Sequence, residues 1–237
     1  MDKFLEGKYA IVTGGTRGIG RAIAGSLLEA GAGVAVCGRS EADLKRAVSE
    51  LSAGGRATGV VADVSKPDEV AALFRHADEK FGGLDILINN AGVGTFASTA
   101  DLTIEQWRTM IGINLDGAFY CAHEALARFR KRGGGFIVNI SSLAGKNPFA
   151  GGSAYNASKF GMNGFSEAMM LDHRYDNVRV CTIMPGSVAT GFGSQSAAAD
   201  WKIAPEDIAE VVSTVLRLPE RTLVSRVEIR PSKPRKS

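Results

Sequence analysis

Tyr155 and Lys159 are four residues apart in Tyr155-Asn156-Ala157-Ser158-Lys159. On a helix this spacing puts both side chains on one face, one turn apart. A phenol is a poor acid near neutral pH, with an unperturbed pKa of about 10. A neighbouring ammonium favours the phenolate and brings the proton within catalytic reach. The pair alone is a weak signal, because any helix can place Tyr and Lys this way. Here it is accompanied by an upstream serine pair, Ser141-Ser142, a glycine-rich turn near the N-terminus, and Asn89-Asn90-Ala91-Gly92. Acid/base chemistry on a substrate oxygen is what such a set can do.

These groups need a scaffold, and the chain alternates short β-rich runs with helical patterns. That alternation predicts βαβ units and a parallel sheet. The expected strands are Tyr9–Thr13, Val34–Cys37, Thr58–Ala62, Ile86–Asn89, Phe136–Ile140, Val178–Ile183 and Val224–Ile229. Most are continuous apolar runs, as expected where helices cover both faces of a sheet. Between Pro67 and Phe81, Val70, Leu73, Phe74 and Ala77 follow helical spacing, with Pro67 suited to the first turn. Gly31, Gly54-Gly55, Gly82-Gly83 and Gly133-Gly134-Gly135 punctuate helix ends. With no internal repeat and no shift in composition, one domain over residues 1–237 is expected, its last residues from about 226 being a basic strand end and tail.

The run Ile11-Val12-Thr13-Gly14-Gly15-Thr16-Arg17-Gly18-Ile19-Gly20 leaves a strand, turns on glycines and enters a helix with Ile19, Ile23 and Leu27 on its apolar side. Glycines let a backbone approach a diphosphate, and a helix N-terminus offers unpaired N–H groups and a positive dipole end. Gly14, Thr16, Arg17, Gly18, Ile19 and Gly20 are therefore candidate cofactor-binding residues. The second strand runs into Gly38-Arg39-Ser40, with no acid before Glu41. An acid in that region would bind ribose hydroxyls and repel a 2′-phosphate; Arg39 can instead fork onto one, with Arg17 approaching from the glycine turn. The charge logic favours NADP(H) over NAD(H). Asp63-Val64 follows the third strand, where the carboxylate has two readings: acceptor for an adenine amino group, or cap for the helix at Pro67. Asn90, Ala91 and Gly92 end the fourth strand, and open α/β sheets keep ligands at such carboxyl ends.

Composition sets outer bounds. The chain has 237 residues, 45% hydrophobic and 22% charged, enough for a sizeable core. No apolar run reaches bilayer length, and the start, Met1-Asp2-Lys3-Phe4-Leu5-Glu6, carries acids without an apolar stretch, so a cytoplasmic location is expected. Cys37, Cys121 and Cys181 are widely spaced in apolar segments and read as reduced packing residues. His76, His123 and His173 are isolated, and no metal site is expected. The net charge of +3 resides at the chain end: residues 226–237 hold five basic residues and one acid, leaving 23 basic against 24 acidic elsewhere. No nucleic-acid face and no membrane partner are expected.

Taken in order, the Thr13–Gly20 glycine motif, Asn89–Gly92, Asn114 in Ile113-Asn114-Leu115, Ser141-Ser142, Tyr155-x3-Lys159 and Pro185-Gly186 resemble the classical short-chain dehydrogenase/reductase family over nearly the whole chain. The glycine motif with Arg17 is closest to 3-oxoacyl-carrier-protein reductase-like members. The resemblance implies a doubly wound Rossmann fold, α/β, with a seven-stranded, mostly parallel sheet in the order 3-2-1-4-5-6-7. It also implies a nicotinamide cofactor and interconversion of alcohols and carbonyls by hydride transfer. By the same resemblance Tyr155 is the general acid in reduction, and Lys159 lowers its pKa and bonds the nicotinamide ribose. Ser142, thirteen residues before Tyr155, steadies the substrate oxygen, and Asn114 holds a water in a proton relay. Ser141 points to the opposite face of its strand. In Pro185-Gly186-Ser187-Val188-Ala189-Thr190, Pro185, Gly186, Val188 and Thr190 are carried over as cofactor contacts.

Two departures from the family pattern stand out. Only a short, small-residue stretch separates Thr190 from Pro205, and the last strand runs into Pro231-Ser232-Lys233-Pro234. Phe96, Phe149, Phe192 and Trp201 fall in loops near the strand ends, either as walls of an apolar cleft or as ordinary packing. The expected activity is NADPH-dependent reduction of a ketone or aldehyde by a homo-oligomer, dimer or tetramer. The alternatives are an NAD-dependent alcohol dehydrogenase working oxidatively, or a non-catalytic NADP(H)-sensing protein.

Overall fold

The expected strand segments pair in one seven-stranded sheet. A computed structural model describes residues 3–51, 54–192 and 200–234. The strands are β1 (Tyr9–Val12), β2 (Gly33–Gly38), β3 (Ala57–Val61), β4 (Ile86–Asn89), β5 (Gly135–Ile140), β6 (Val178–Pro185) and β7 (Arg226–Ile229), ordered β3-β2-β1-β4-β5-β6-β7. Every neighbouring pair is parallel, so the sheet is wholly rather than mostly parallel. Parallel strands need crossovers, and these are supplied by α1 (Gly18–Glu29), α2 (Glu41–Leu51), α3 (Pro67–Phe81), α4 (Ile104–Ile111), α5 (Gly117–Arg132), α6 (Ser153–His173) and α7 (Pro205–Arg217). This is the doubly wound fold expected from the sequence.

Side-chain alternation divides the core into two layers. In β1, Ala10 and Val12 join Ile23, Leu27, Ile208 and Val212 on the side of α1 and α7. Ile11, between them, faces Leu73, Phe74, Ala125 and Phe129 on the side of α3 and α5. The predicted helix over 67–81 has Pro67 in its first turn and ends at Gly82, whose φ of 75° is left-handed. The strand order reverses between β1 and β4, which opens a crevice at their carboxyl ends. The glycine turn, the Asn89–Gly92 turn and the loops after β5 and β6 all emerge at the carboxyl ends of their strands.

Residues 112–116 form one π-helical turn joining α4 to α5 without a break. An Asn is poorly suited to a helix interior, and here Asn114 sits in that widened turn, fully buried. Cys37, Cys121 and Cys181 are free and buried, as expected. Among the described residues no helix is long and apolar enough to cross a membrane, and no group of His, Cys, Asp or Glu could hold a metal.

Candidate active site

The glycine turn is built around Thr13 and Asn90. Thr13 Oγ1 accepts from the backbone N–H groups of Asn90 and Ala91, each at 3.0 Å, and Asn90 Nδ2 donates to the Thr13 carbonyl at 2.9 Å. These bonds tie the end of β4 to the end of β1. Gly14 and Gly18 have φ of 63° and 54°, which side-chain-bearing residues rarely adopt. Gly20 is glycine for space: a Cβ there would run into Asn90 Nδ2 and the Gly14 carbonyl oxygen. No side chain caps the N-terminus of α1 and its first turn holds no acid, so its N–H groups face the turn uncompensated. A bare backbone cradle at an uncapped helix start suits a diphosphate.

At the end of β2, a Cβ on Gly38 would lie 2.6 Å from Thr16 Cγ2, so Thr16 occupies the space an acid there would need. Arg17 and Arg39 each follow one member of this contact, and both are exposed. Asp63 does not cap α3: Lys66 stands at the N-cap, while Asp63 Oδ1 accepts from the N–H and hydroxyl of Ser65 at 3.0 and 2.7 Å. Burial works to raise its carboxyl, but the Ser65 bonds and the charges of Arg39 and Lys66 hold it low. Val64 packs its side chain against Gly117, leaving only its backbone for a ligand. A Cβ on Gly18 would sit 3.2 Å from Thr190 Cγ2, which places the loop after β6 against the glycine turn. Ile19 and Val188 pack on the same core cluster. Gly186, beside Pro185, lies against Leu143.

Tyr155 and Lys159 lie on α6 as the spacing predicts. The Lys159 ammonium is buried, donates to the Ile140 carbonyl at 3.0 Å, and sits 5.9 Å from the centre of the Tyr155 ring. Burial pushes the Tyr155 phenol up, and the Ser142 hydroxyl acts in the opposite direction. The expected lowering of this phenol by Lys159 is therefore not the leading influence, because the ammonium is turned toward Ile140. Ser142 Oγ also accepts from the Ala144 N–H at 3.1 Å, whereas Ser141 Oγ is buried and donates to Asn163 Oδ1 at 2.6 Å. Asn114 Oδ1 accepts from the Val93 N–H at 2.8 Å, and its amide donates to the Val93 carbonyl and to Ser158 Oγ. A Cβ on Gly92 would lie 3.4 Å from Asn114 Oδ1 and 3.9 Å from Lys159 Nζ, so three of the predicted groups meet at one place.

A family model described as short chain dehydrogenase matches residues 8–201. The chain belongs to the short chain dehydrogenase family. It is similar to an uncharacterized oxidoreductase of Staphylococcus aureus (strain MRSA252), 34% identical over 96% of this chain and 98% of that protein. Among solved structures it resembles a metagenomic short-chain oxidoreductase in complex with NADP, 36% identical, TM-score 0.85, covering 97% of this chain and 99% of the other. It also resembles a 3-ketoacyl-(acyl-carrier-protein) reductase from Brucella melitensis complexed with NADH, 26% identical, TM-score 0.88, covering 95% and 97%. The protein is thus an NAD(P)-dependent dehydrogenase/reductase.

In this short chain dehydrogenase, burial pulls Lys159 down to about 8. Unfolded lysine titrates near about 10.4, so between about pH 8 and about pH 10 the unfolded chain binds more protons than the folded one. The penalty for this charge is complete below the window and fades as pH rises through it. Denaturant titrations of wild type and Lys159→Met should show the wild type gaining roughly 3 kcal/mol relative to the variant across that window. A difference that stays constant would mean that Lys159 is not desolvated.

Phe96 and Phe192 contact the Tyr155 ring and Phe149 packs on Phe96, while Trp201 is partly buried and, among the described residues, not one of the rings in contact there. Sequence reasoning passed over Thr13 as a site residue, although a hydroxyl at the last strand position before the glycines was the available signal. It also passed over Ser158, whose hydroxyl bonds the Tyr155 carbonyl at 2.8 Å and accepts from Asn114.

Proposed function

We propose that residues 1–237 act as one cytoplasmic NADPH-dependent carbonyl reductase, taking a ketone or aldehyde to its alcohol. The observation that carries this reading is the meeting of Asn114, Ser142, Tyr155 and Lys159 with the Asn90–Gly92 turn, beside a glycine cradle flanked by two exposed arginines. A nicotinamide held there would supply or accept the hydride. In reduction the Tyr155 hydroxyl donates its proton to the substrate oxygen, and its raised pKa keeps that proton in place at neutral pH. The Ser142 hydroxyl donates a hydrogen bond to the same oxygen as charge develops there. Lys159, its ammonium 5.9 Å from the centre of the Tyr155 ring, would supply positive charge and a ribose contact. Asn114 fixes Val93 and Ser158, and one lone pair of Oδ1 remains for the relay water that the resemblance implies.

Gly14, Thr16, Arg17, Gly18, Ile19 and Gly20 would hold the diphosphate end, and Arg17 with Arg39 the 2′-phosphate. Asp63, Val64, Asn90, Ala91 and Gly92 would line the adenosine and ribose, and Pro185, Gly186, Val188 and Thr190 the carboxamide. Exposed Phe119 on α5 and Phe160 on α6 support assembly into a dimer or tetramer.

The test is NADPH and NADH consumption over a panel of ketones, aldehydes and 3-oxoacyl thioesters, in wild type and Arg39→Asp. The wild type is expected to prefer NADPH, and the variant's Kd for NADPH to rise by about 10- to 100-fold, the loss of one charge-assisted bond. Unchanged NADPH affinity would remove the phosphate-site argument. Alcohol oxidation with NAD(+) that outpaces carbonyl reduction with NADPH would favour the oxidative reading instead.

A further inference from the structure

Two phenylalanines from separate loops contact Tyr155, Phe96 after β4 and Phe192 after β6, and a third, Phe149 after β5, packs on Phe96. Phe96 meets the Tyr155 ring edge-on, centroids 5.7 Å apart at 81°, and Phe192 lies 5.8 Å from the same ring at 54°. Phe149 sits 5.7 Å from Phe96. All three stay partly open to solvent, at 40%, 46% and 37% for Phe96, Phe149 and Phe192. A contiguous set of half-open aromatic rings beside reactive groups is a surface waiting for an apolar partner.

The rings are seated, not loose. The Ala97 N–H donates to the Gly151 carbonyl at 2.9 Å, joining the loops that carry Phe96 and Phe149. The Phe149 N–H reaches Asn156 Oδ1 on α6 at 3.4 Å. A Cβ on Gly94 would lie 2.7 Å from Phe192 and 3.1 Å from Phe96, and a Cβ on Gly152 would lie 2.6 Å from Phe149. Glycine at these two positions is what lets the rings close in. The three rings bring no charge to the wall, and Lys146, the cation nearest Phe149 in sequence, is held by Glu228 at 2.6 Å.

Building on the carbonyl-reduction reading above, we propose that the substrate is an aryl carbonyl, with an aromatic ring bonded directly to the carbonyl carbon and packed against Phe96, Phe149 and Phe192. Direct attachment follows because Phe96 and Phe192 contact the very ring whose hydroxyl would protonate the oxygen. An aromatic group is preferred to an aliphatic one of equal size because edge-to-face and offset contacts add to simple area burial.

The deciding comparison is phenyl against cyclohexyl, which have similar apolar bulk. Calorimetric titration of the protein saturated with NADP(+) should show 1-phenylethanol binding about 3- to 10-fold more tightly than 1-cyclohexylethanol. The corresponding methyl ketones should show the same order in kcat/KM. Phe96→Leu keeps an apolar wall but should bring the binding ratio close to one, and Phe149→Leu should lower it, with NADP(+) affinity and Tm near wild type in both. Equal affinity for the two alcohols in the wild type, or a preference that survives both substitutions, overturns the inference. Phenyl-selective binding without hydride transfer to any carbonyl would uphold the aromatic wall and overturn the reductase reading, so the two failures are distinct.

Discussion

Tyr155→Phe is expected to lower kcat for carbonyl reduction by about 10³-fold while leaving NADPH affinity near wild type. The change removes one oxygen and keeps the ring, so the contacts with Phe96 and Phe192 survive. Lys159 keeps its bond to the Ile140 carbonyl. What disappears is the proton donor: with no group in place to protonate the developing alkoxide, the reaction falls back on solvent. Steady-state turnover at saturating NADPH, together with cofactor binding followed by nicotinamide fluorescence, separates the two effects. A variant as active as the wild type would leave the proposed mechanism without its acid.

Gly20→Ala should weaken NADPH binding by about 100-fold and cost about 2 kcal/mol of stability. The new methyl meets Asn90 Nδ2 and the Gly14 carbonyl oxygen, neither of which can yield without opening the glycine turn. Asn90 is itself tied to Thr13 and Gly14, so the strain spreads to the bonds joining β1 and β4. Gly164 on α6 offers the control, because a Cβ there meets nothing within 4 Å. Gly164→Ala should leave NADPH affinity unchanged. If Gly20→Ala behaves like that control in nucleotide titrations, the turn is not the cofactor cradle.

Local signals told most of the fold. Pro67 and Gly82 bracket α3 in the sequence as they do in space, and apolar runs mark most of the strands, β7 with its alternating Arg226-Val227-Glu228-Ile229 being the exception. Tyr155 and Lys159 were legible because helical spacing alone puts them on one face. What escaped depends on contacts between distant parts of the chain. Phe96, Phe149 and Phe192 lie on different loops, and nothing local to any one of them distinguishes a cleft wall from core packing. Of the two readings of Asp63, helix cap or acceptor for an adenine amino group, the structure removes the first: Asp63 bonds Ser65, which offers both an N–H and a hydroxyl two residues away. The direction of Lys159 was equally hidden: periodicity fixes where a side chain starts, not that its ammonium bonds the Ile140 carbonyl while lying 5.9 Å from the centre of the Tyr155 ring.

The π-helical turn at 112–116 has a mechanical consequence for the long helix it interrupts. Each extra residue in a turn advances the side-chain phase by about 100°. The apolar stripe of α4 is thereby rotated out of line with that of α5, and one unbroken rod can lean on α6 with its first part and on α3 with its second. Shortening that turn by a single residue would restore a regular spiral and swing Trp107 and its neighbours around the axis relative to Phe129.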